Sequence, residues 1–287
     1  MNWLLASLIM FVSSIIYYLI TKKAQINKIE SKFYLVVNFS IPALLYLFLC
    51  NLNHINVFID WKFLGEIFLI ALFLNYVGST FSYYAMIEAP NAGYSVVVQK
   101  SYAIFTSVAA IYLFHSTLTI KNYLAILTII FFTALLAIDP KAKISFKNYK
   151  WVVYSFVAFF CFGFLRLGNK LVISAGVPTM AFLFWSMVFS ALICTVDLVV
   201  HKKSIKSRFT RENVLILIGV GIAVSSFYYF LQVADVIAPN IGYSNAINTA
   251  SNAFYTVLVA LIFKDHLSWK KFLAVLGVTV GLILLVV

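Results

Sequence analysis

Apolar runs of about twenty residues, long enough for a helix to cross a bilayer, succeed one another along this chain with short polar stretches between them. The pattern predicts helical spans near residues 2–20, 33–51, 64–88, 92–114 and 120–138, then near 151–173, 180–200, 213–237, 241–263 and 269–287. Within a bilayer the backbone N–H and C=O groups meet no water, so an apolar run of this length bonds within itself as a helix. The runs also exceed the alternating segments of about ten residues that build a membrane barrel. The expected fold class is an all-α polytopic membrane protein with ten transmembrane helices. The first run, MNWLLASLIMFVSSIIYYLI, lacks a basic start and a small-residue cleavage site, so it reads as a span and not as a signal peptide.

The two sets of five spans keep nearly the same spacing, and one turn is written twice. Residues 89–95 read APNAGYS and residues 238–244 read APNIGYS, six of seven letters alike at an offset of 149. The same offset lays Phe81 on Phe230, Ala85 on Ala234, Phe105 on Phe254, Phe114 on Phe263 and Lys121 on Lys270. The chain therefore divides into a repeat at 1–139 and a second at 150–287, with a linker at 140–149. An odd number of crossings starts the second repeat from the opposite side, which makes the two halves inverted copies about an axis in the membrane plane.

Loop charge fits inversion. The loop at 21–32 carries Lys22, Lys23, Lys28 and Lys32, while its counterpart at 174–179 carries none. The loop at 52–63 has only Lys62, and its counterpart at 201–212 has Lys202, Lys203, Lys206, Arg208 and Arg211. One side collects sixteen Lys or Arg, the other only Lys62 and Lys121. Basic loops stay in the cytoplasm, which places both termini outside it.

The repeated turn has a sufficient structural account. Pro90 and Pro239 stop the helix before them. Asn91 and Asn240 are placed to cap the next one. Gly93 and Gly242 let a neighbouring backbone come close. The helices that start at each turn are less ordinary. Ser95, Gln99, Tyr102 and Thr106 are spaced to form one stripe, and Asn245, Asn248, Thr249, Asn252, Tyr255 and Thr256 share a face of the later helix. One or two such residues would serve as hydrogen-bonded glue between helices. A stripe of this length on both related helices points to a water-accessible cavity at the repeat interface. The tyrosines of STFSYY and SSFYYF, Tyr83, Tyr84, Tyr228 and Tyr229, are candidates to close it, Tyr228 among the lining.

Charges inside the spans sharpen this expectation. Glu66, Glu88, Asp197 and Lys170 fall near predicted ends, where reaching the headgroups is the default. Lys100 and Arg166 lie deeper, at a cost of about 2.5–3.5 kcal/mol at a helix centre. A carboxylate partner or an anionic substrate group has to offset that cost. Arg166 is expected to bind the anionic end of a substrate. Asp235, one turn before the second Ala-Pro-Asn, is a candidate for proton exchange, with protons as the coupling ion.

Composition narrows the class further. Apolar residues make up 63% and charged residues 10%, so the net charge of +12 belongs to orienting loops and not to a nucleic-acid surface. Cys50, Cys161 and Cys194 fall inside apolar runs with no disulfide or metal spacing. His54, His115, His201 and His266 fall in loops without metal-ligand spacing. No phosphate-binding loop is present to couple a nucleotide, so no cofactor is expected. An intramembrane enzyme would need clustered acids, bases or a metal inside the spans. A non-transporting scaffold or partner subunit would show lipid-like faces in place of paired polar stripes. Both remain the alternatives to a carrier.

The stretches APNAGYSVVVQKSYAIFTSVAAIYLFHSTLTIKNYLAI and APNIGYSNAINTASNAFYTVLVALIFKDHLSWKKFLAV resemble the fourth-to-fifth and ninth-to-tenth span segments of the drug/metabolite transporter superfamily, in particular its EamA-type members. GNKLVISAGVPTMAFLFWSMVF is similar to the family's basic span end with a Pro-containing turn after it. The chain departs from the family where a Gly-Glu pair is common, with His115-Ser116 and Lys264-Asp265, and where a mid-span proline is common, with Ala103 and Asn252. The resemblance implies a secondary carrier, many members being exporters of amino acids or related metabolites. It also implies termini in the cytoplasm, against the loop charges. The partners expected are the lipid bilayer of a bacterial or archaeal plasma membrane and a small-molecule substrate, with no nucleic acid, in a monomer or homodimer.

Overall fold

The structure, a computed structural model, describes residues 1–89, 95, 98–137, 149–200, 210–262 and 269–286. Helices α1 (Trp3–Ile26), α2 (Ser31–Leu52) and α3 (Trp61–Glu88) are followed by α4 (Tyr102–Phe114) and α5 (Ile120–Ala137). Then come α6 (Lys150–Ser174), α7 (Thr179–Val200), α8 (Arg211–Ile237), α9 (Ile241–Ile262) and α10 (Trp269–Val286). No strand occurs among the described residues. Six helices, α1, α2, α3, α6, α7 and α8, are long and apolar enough to cross a membrane. Residues 120–135 of α5 and 272–286 of α10 form shorter apolar helices.

The helix starts obey local chemistry. Asn2 Oδ1 accepts from the Leu5 amide at 2.8 Å, Glu30 Oε2 from Phe33 at 2.7 Å and Thr210 Oγ1 from Asn213 at 3.2 Å, each satisfying a free N–H of a first turn. Two elements differ from the sequence pattern. The run expected near 92–114 is helical at 98–100, turns at Ser101 and resumes as α4. The run near 64–88 starts earlier, at Trp61, and is π-helical over Ile70–Tyr76. Such widened turns recur at functional sites because they re-aim side chains.

Some helix neighbours follow the repeat offset, while others, such as α5 on α9 and α8 on α9, do not. α1 packs on α8, and its counterpart α6 packs on α3; likewise α1 on α9 matches α6 on α4. The pairs α2–α7, α4–α9 and α5–α10 map onto themselves. Hydrogen bonds and ion pairs sort the connections into two ends. Lys23 pairs with Glu212 at 3.1 Å, Lys32 with Asp197 at 2.8 Å, and Asn27 Nδ2 donates to Asn213 Oδ1 at 3.0 Å. Elsewhere Tyr243 donates its hydroxyl to the Thr117 carbonyl at 3.1 Å, and its ring lies 6.0 Å from that of Trp3.

Burial separates outer from inner helices. Leu8, Val12, Leu44, Phe48, Val196 and Val199 present large apolar side chains on the outside, as lipid contact requires. The first half of helix α9 does the reverse: residues 241–251 are all buried. A buried helical stretch can carry amides that a lipid-exposed one cannot, and these keep α9, whose exposed apolar residues Leu261 and Ile262 lie at its end, out of the six apolar spans. Two apolar clusters flank the centre. One is built around Val224, Leu231, Ile247 and Ile126, the other around Tyr46, Phe182, Ile67 and Met187, and Tyr228 packs against both.

Candidate functional site

Between those clusters lies a cavity of about 570 Å³. Its wall draws on α1 (Tyr17, Tyr18), α3 (Asn75, Ser79, Ser82), the helical residues Gln99 and Lys100, and α4 (Tyr102). The second half adds Arg166 and Asn169 of α6, Ser186 of α7, Tyr228 and Gln232 of α8, and Asn248, Asn252 and Tyr255 of α9. The cavity is thus shared by both halves of the chain, and its polar groups rise from helices whose outer faces are apolar.

Some of these groups are held by neighbours. Ser82 donates its hydroxyl to Gln99 Oε1 at 2.6 Å, and Gln99 Nε2 donates to Ser95 Oγ at 2.7 Å. Asn75, in the π-helical turn, donates Nδ2 to Ser190 Oγ at 3.0 Å. Asn169 Nδ2 donates to Gln232 Oε1 at 3.1 Å, joining α6 to α8. Other atoms have no partner among the described residues: Arg166 Nε, Asn169 Oδ1, Gln232 Nε2 and Asn248 Oδ1 are buried and unbonded. A buried donor or acceptor left open in this way costs about 1–3 kcal/mol, so a wall of them is suited to a ligand or water.

The charges are one-sided. Lys100 and Arg166 both line the cavity, and among the described residues no Asp or Glu does. The ion pairs of the described residues lie elsewhere, at Lys23–Glu212 and Lys32–Asp197. Tyr102 lines the same cavity as Arg166.

Of the residues singled out from the sequence, Gln99, Lys100, Tyr102, Arg166, Tyr228, Asn248 and Asn252 lie together on this wall. Asn245 does not. Its Nδ2 donates to Thr106 Oγ1 at 3.2 Å and ties α9 to α4, since that flank of α9 faces a helix and not the cavity. Asp235 does not reach the wall either. It is fully buried behind it, where its carboxylate accepts from the Ser244 hydroxyl. Lys170 does not extend to the headgroups: it is 6% exposed, its amine donates to the Asp235 carbonyl at 2.8 Å, and it sits 5.1 Å from the centre of the Phe114 ring.

The second copy of the turn is a clamp. Asn240 Oδ1 accepts from the Gly242 amide at 2.8 Å, and Asn240 Nδ2 donates to the Ser107 carbonyl at 3.1 Å. Gly242 lies directly against Ser107, and Pro239 lines a shallow depression beside Lys170 and His115. Pro90, Asn91 and Gly93 of the first copy lie outside the described residues.

Tyr17, Tyr18, Asn75, Ser186 and Gln232 line the cavity without having stood out in the sequence. Asn75 and Gln232 did carry a signal, each being a lone amide deep inside an apolar run. The tyrosines carried none in a chain with 17% aromatic residues.

Residues 149–287 match the model of the EamA-like transporter family. A comparison with curated proteins gives no match. A crystal structure of another protein superposes with a TM-score of 0.81 over 97% of both chains at 13% sequence identity, a likeness of fold.

Proposed function

We infer, from the match of residues 149–287 to the model of the EamA-like transporter family, that this chain is a secondary transporter of a small polar organic metabolite. It is an integral membrane protein with several apolar helices. The carrying observation is the central cavity, walled by both halves, that holds Lys100 and Arg166 with no carboxylate among its described lining. An anionic group on the substrate supplies the missing charge. Arg166 binds it together with Lys100, and Gln99, Tyr102, Asn248, Asn252 and Tyr228 orient the rest.

The architecture we assign is ten spans in two inverted repeats, 1–139 and 150–287, supported by the packing pairs that exchange under the 149-residue offset. Alternating access then means rocking of one half against the other about the central cavity. Loop charge favours termini outside the cytoplasm of a bacterial or archaeal plasma membrane, and the resemblance to metabolite exporters favours outward transport. Asp235, close enough to Arg166 to interact with its charge, is the candidate for proton coupling.

Counterflow of labelled metabolic anions into liposomes holding the purified full chain tests the function. Arg166→Gln should abolish exchange while membrane expression stays intact. Undiminished exchange by that variant would sink the assignment of Arg166. Failure of the wild type to exchange any anion across a broad panel would sink transport itself.

A further inference from the structure

The cavity wall contains a pair of amides with a defined pattern of unused bonding groups. Asn169, one turn beyond Arg166 on α6, and Gln232, one turn beyond Tyr228 on α8, are 6% and 2% exposed. One bond between them, Asn169 Nδ2 to Gln232 Oε1 at 3.1 Å, leaves Asn169 Oδ1 as an open acceptor and Gln232 Nε2 as an open donor. Turning both amides over reverses that bond and again leaves one donor and one acceptor. The pair therefore keeps one unpaired donor and one unpaired acceptor, the two kinds of group that the edge of a planar cis-amide can satisfy together. Buried groups of this kind reject a ligand that leaves them open far more strongly than they reject one of the wrong size.

Charge sets the second requirement. The end of a ligand that meets Lys100 and Arg166 is anionic, because the wall itself offers two cations and no carboxylate among its described lining, Asp235 acting on Arg166 from behind the wall. The ammonium of a free amino acid would meet two cations on the wall and no acid on its described lining, Asp235 being buried behind it. Flat surfaces are close at hand, with the rings of Phe227 and Tyr228 centred 5.1 Å apart and Tyr18 beside Phe227 at 6.5 Å. Aromatic faces of this kind favour a planar group by stacking.

We propose that the substrate is a small organic anion, carboxylate or phosphate, which also carries a planar amide edge as in a lactam or pyrimidine ring. The anion sits at Arg166 and Lys100, and the edge pairs with Asn169 and Gln232. This rests on the cavity being the transport site.

Binding to the purified full chain, measured by calorimetry, separates the parts. Orotate has both a carboxylate and a ring amide edge; its methyl ester has only the edge, benzoate only the charge, and glutamine an amide on a zwitterion. Orotate should bind about tenfold or more tightly than any of the other three. Uridine 5′-monophosphate in place of orotate tells phosphate from carboxylate, since the tighter of the two names the anion. Gln232→Met should bring orotate to the level of benzoate and leave benzoate unchanged. Asn169→Ser should do the same from the other helix, which guards against misfolding of one variant. Benzoate, methyl orotate or glutamine binding as tightly as orotate, or no binding of either edge-bearing anion, would overturn the proposal. Orotate that binds with this pattern but undergoes no counterflow would overturn the transport reading alone. Equal exchange of orotate and benzoate would overturn the substrate class alone.

Discussion

Gly242 and Ser107 meet with no room for a methyl group between them: a β-carbon on Gly242 would lie 1.6 Å from Ser107 Oγ and 2.9 Å from its Cα. The Asn240 amide, bonded to the Ser107 carbonyl at 3.1 Å, holds the same spot. The shared letters of the repeated turn thus fasten α9 to α4 and set the height at which Asn248 and Asn252 enter the cavity. Gly242→Ala should destabilise by about 1–3 kcal/mol through overpacking. The readout is a lower melting temperature in detergent. Gly65→Ala, where the added carbon meets nothing within 4 Å, should leave that temperature unchanged.

The α5–α10 contact depends on a Gly277-x-x-x-Gly281 spacing in the last helix. A β-carbon on Gly281 would lie 3.1 Å from the Ile129 amide nitrogen and 3.2 Å from the Ala125 carbonyl oxygen, so the two backbones are in near contact. Small residues are what allow such approach in a membrane. Gly281→Val should lower the melting temperature more than Val280→Ala, whose side chain is half exposed on the outer face.

Asn245 and Asn248 separate structure from binding on one helix. Asn245 bonds to Thr106, so Asn245→Ala and Thr106→Val should each lower stability and be non-additive together, with a coupling of about 0.6 kcal/mol. Asn248 lines the cavity, and its buried Oδ1 has no hydrogen-bond partner among the described residues. Asn248→Ala should leave the melting temperature near that of the wild type and raise the apparent KM for exchange about tenfold. The opposite pattern, with KM moving in Asn245→Ala, would reverse the two roles.

The two ion pairs at the basic end should differ. Lys32–Asp197 is at 2.8 Å with side chains 23% and 19% exposed, so Lys32→Met should cost about 0.5–1 kcal/mol, less at high salt. Lys23–Glu212 is at 3.1 Å between exposed side chains, and Lys23→Met should change nothing measurable. Equal melting temperatures for the two variants would refute the distinction.

Much of this molecule is legible along the chain alone. Helix placement comes from the bilayer's demand that each long apolar run satisfy its own backbone, a property that needs no knowledge of neighbours. The capping role of Asn240 and the tight approach at Gly242 are also local, because a helix start and a missing side chain carry their own chemistry. The polar face of α9 is visible as a periodicity, and with it the general place of the cavity.

What a single helix face cannot say is what stands opposite it. Asn245 and Asn248 are three residues apart on one face, yet one donates to Thr106 and the other lines the cavity. Lys170 and Asp235 look like residues at span ends and are instead buried, the lysine amine bonded to the aspartate's backbone carbonyl. Asn169 and Gln232 sit on separate helices, and only the packing of α6 beside α8 joins them into one donor–acceptor pair. The sequence by itself determined which segments are helices and which of them carry polar faces, since both depend on solvation and periodicity along one chain. Tertiary structure alone decided which polar atoms are used up in holding helices together and which are left open, because a hydrogen bond needs two partners and the second is set by packing.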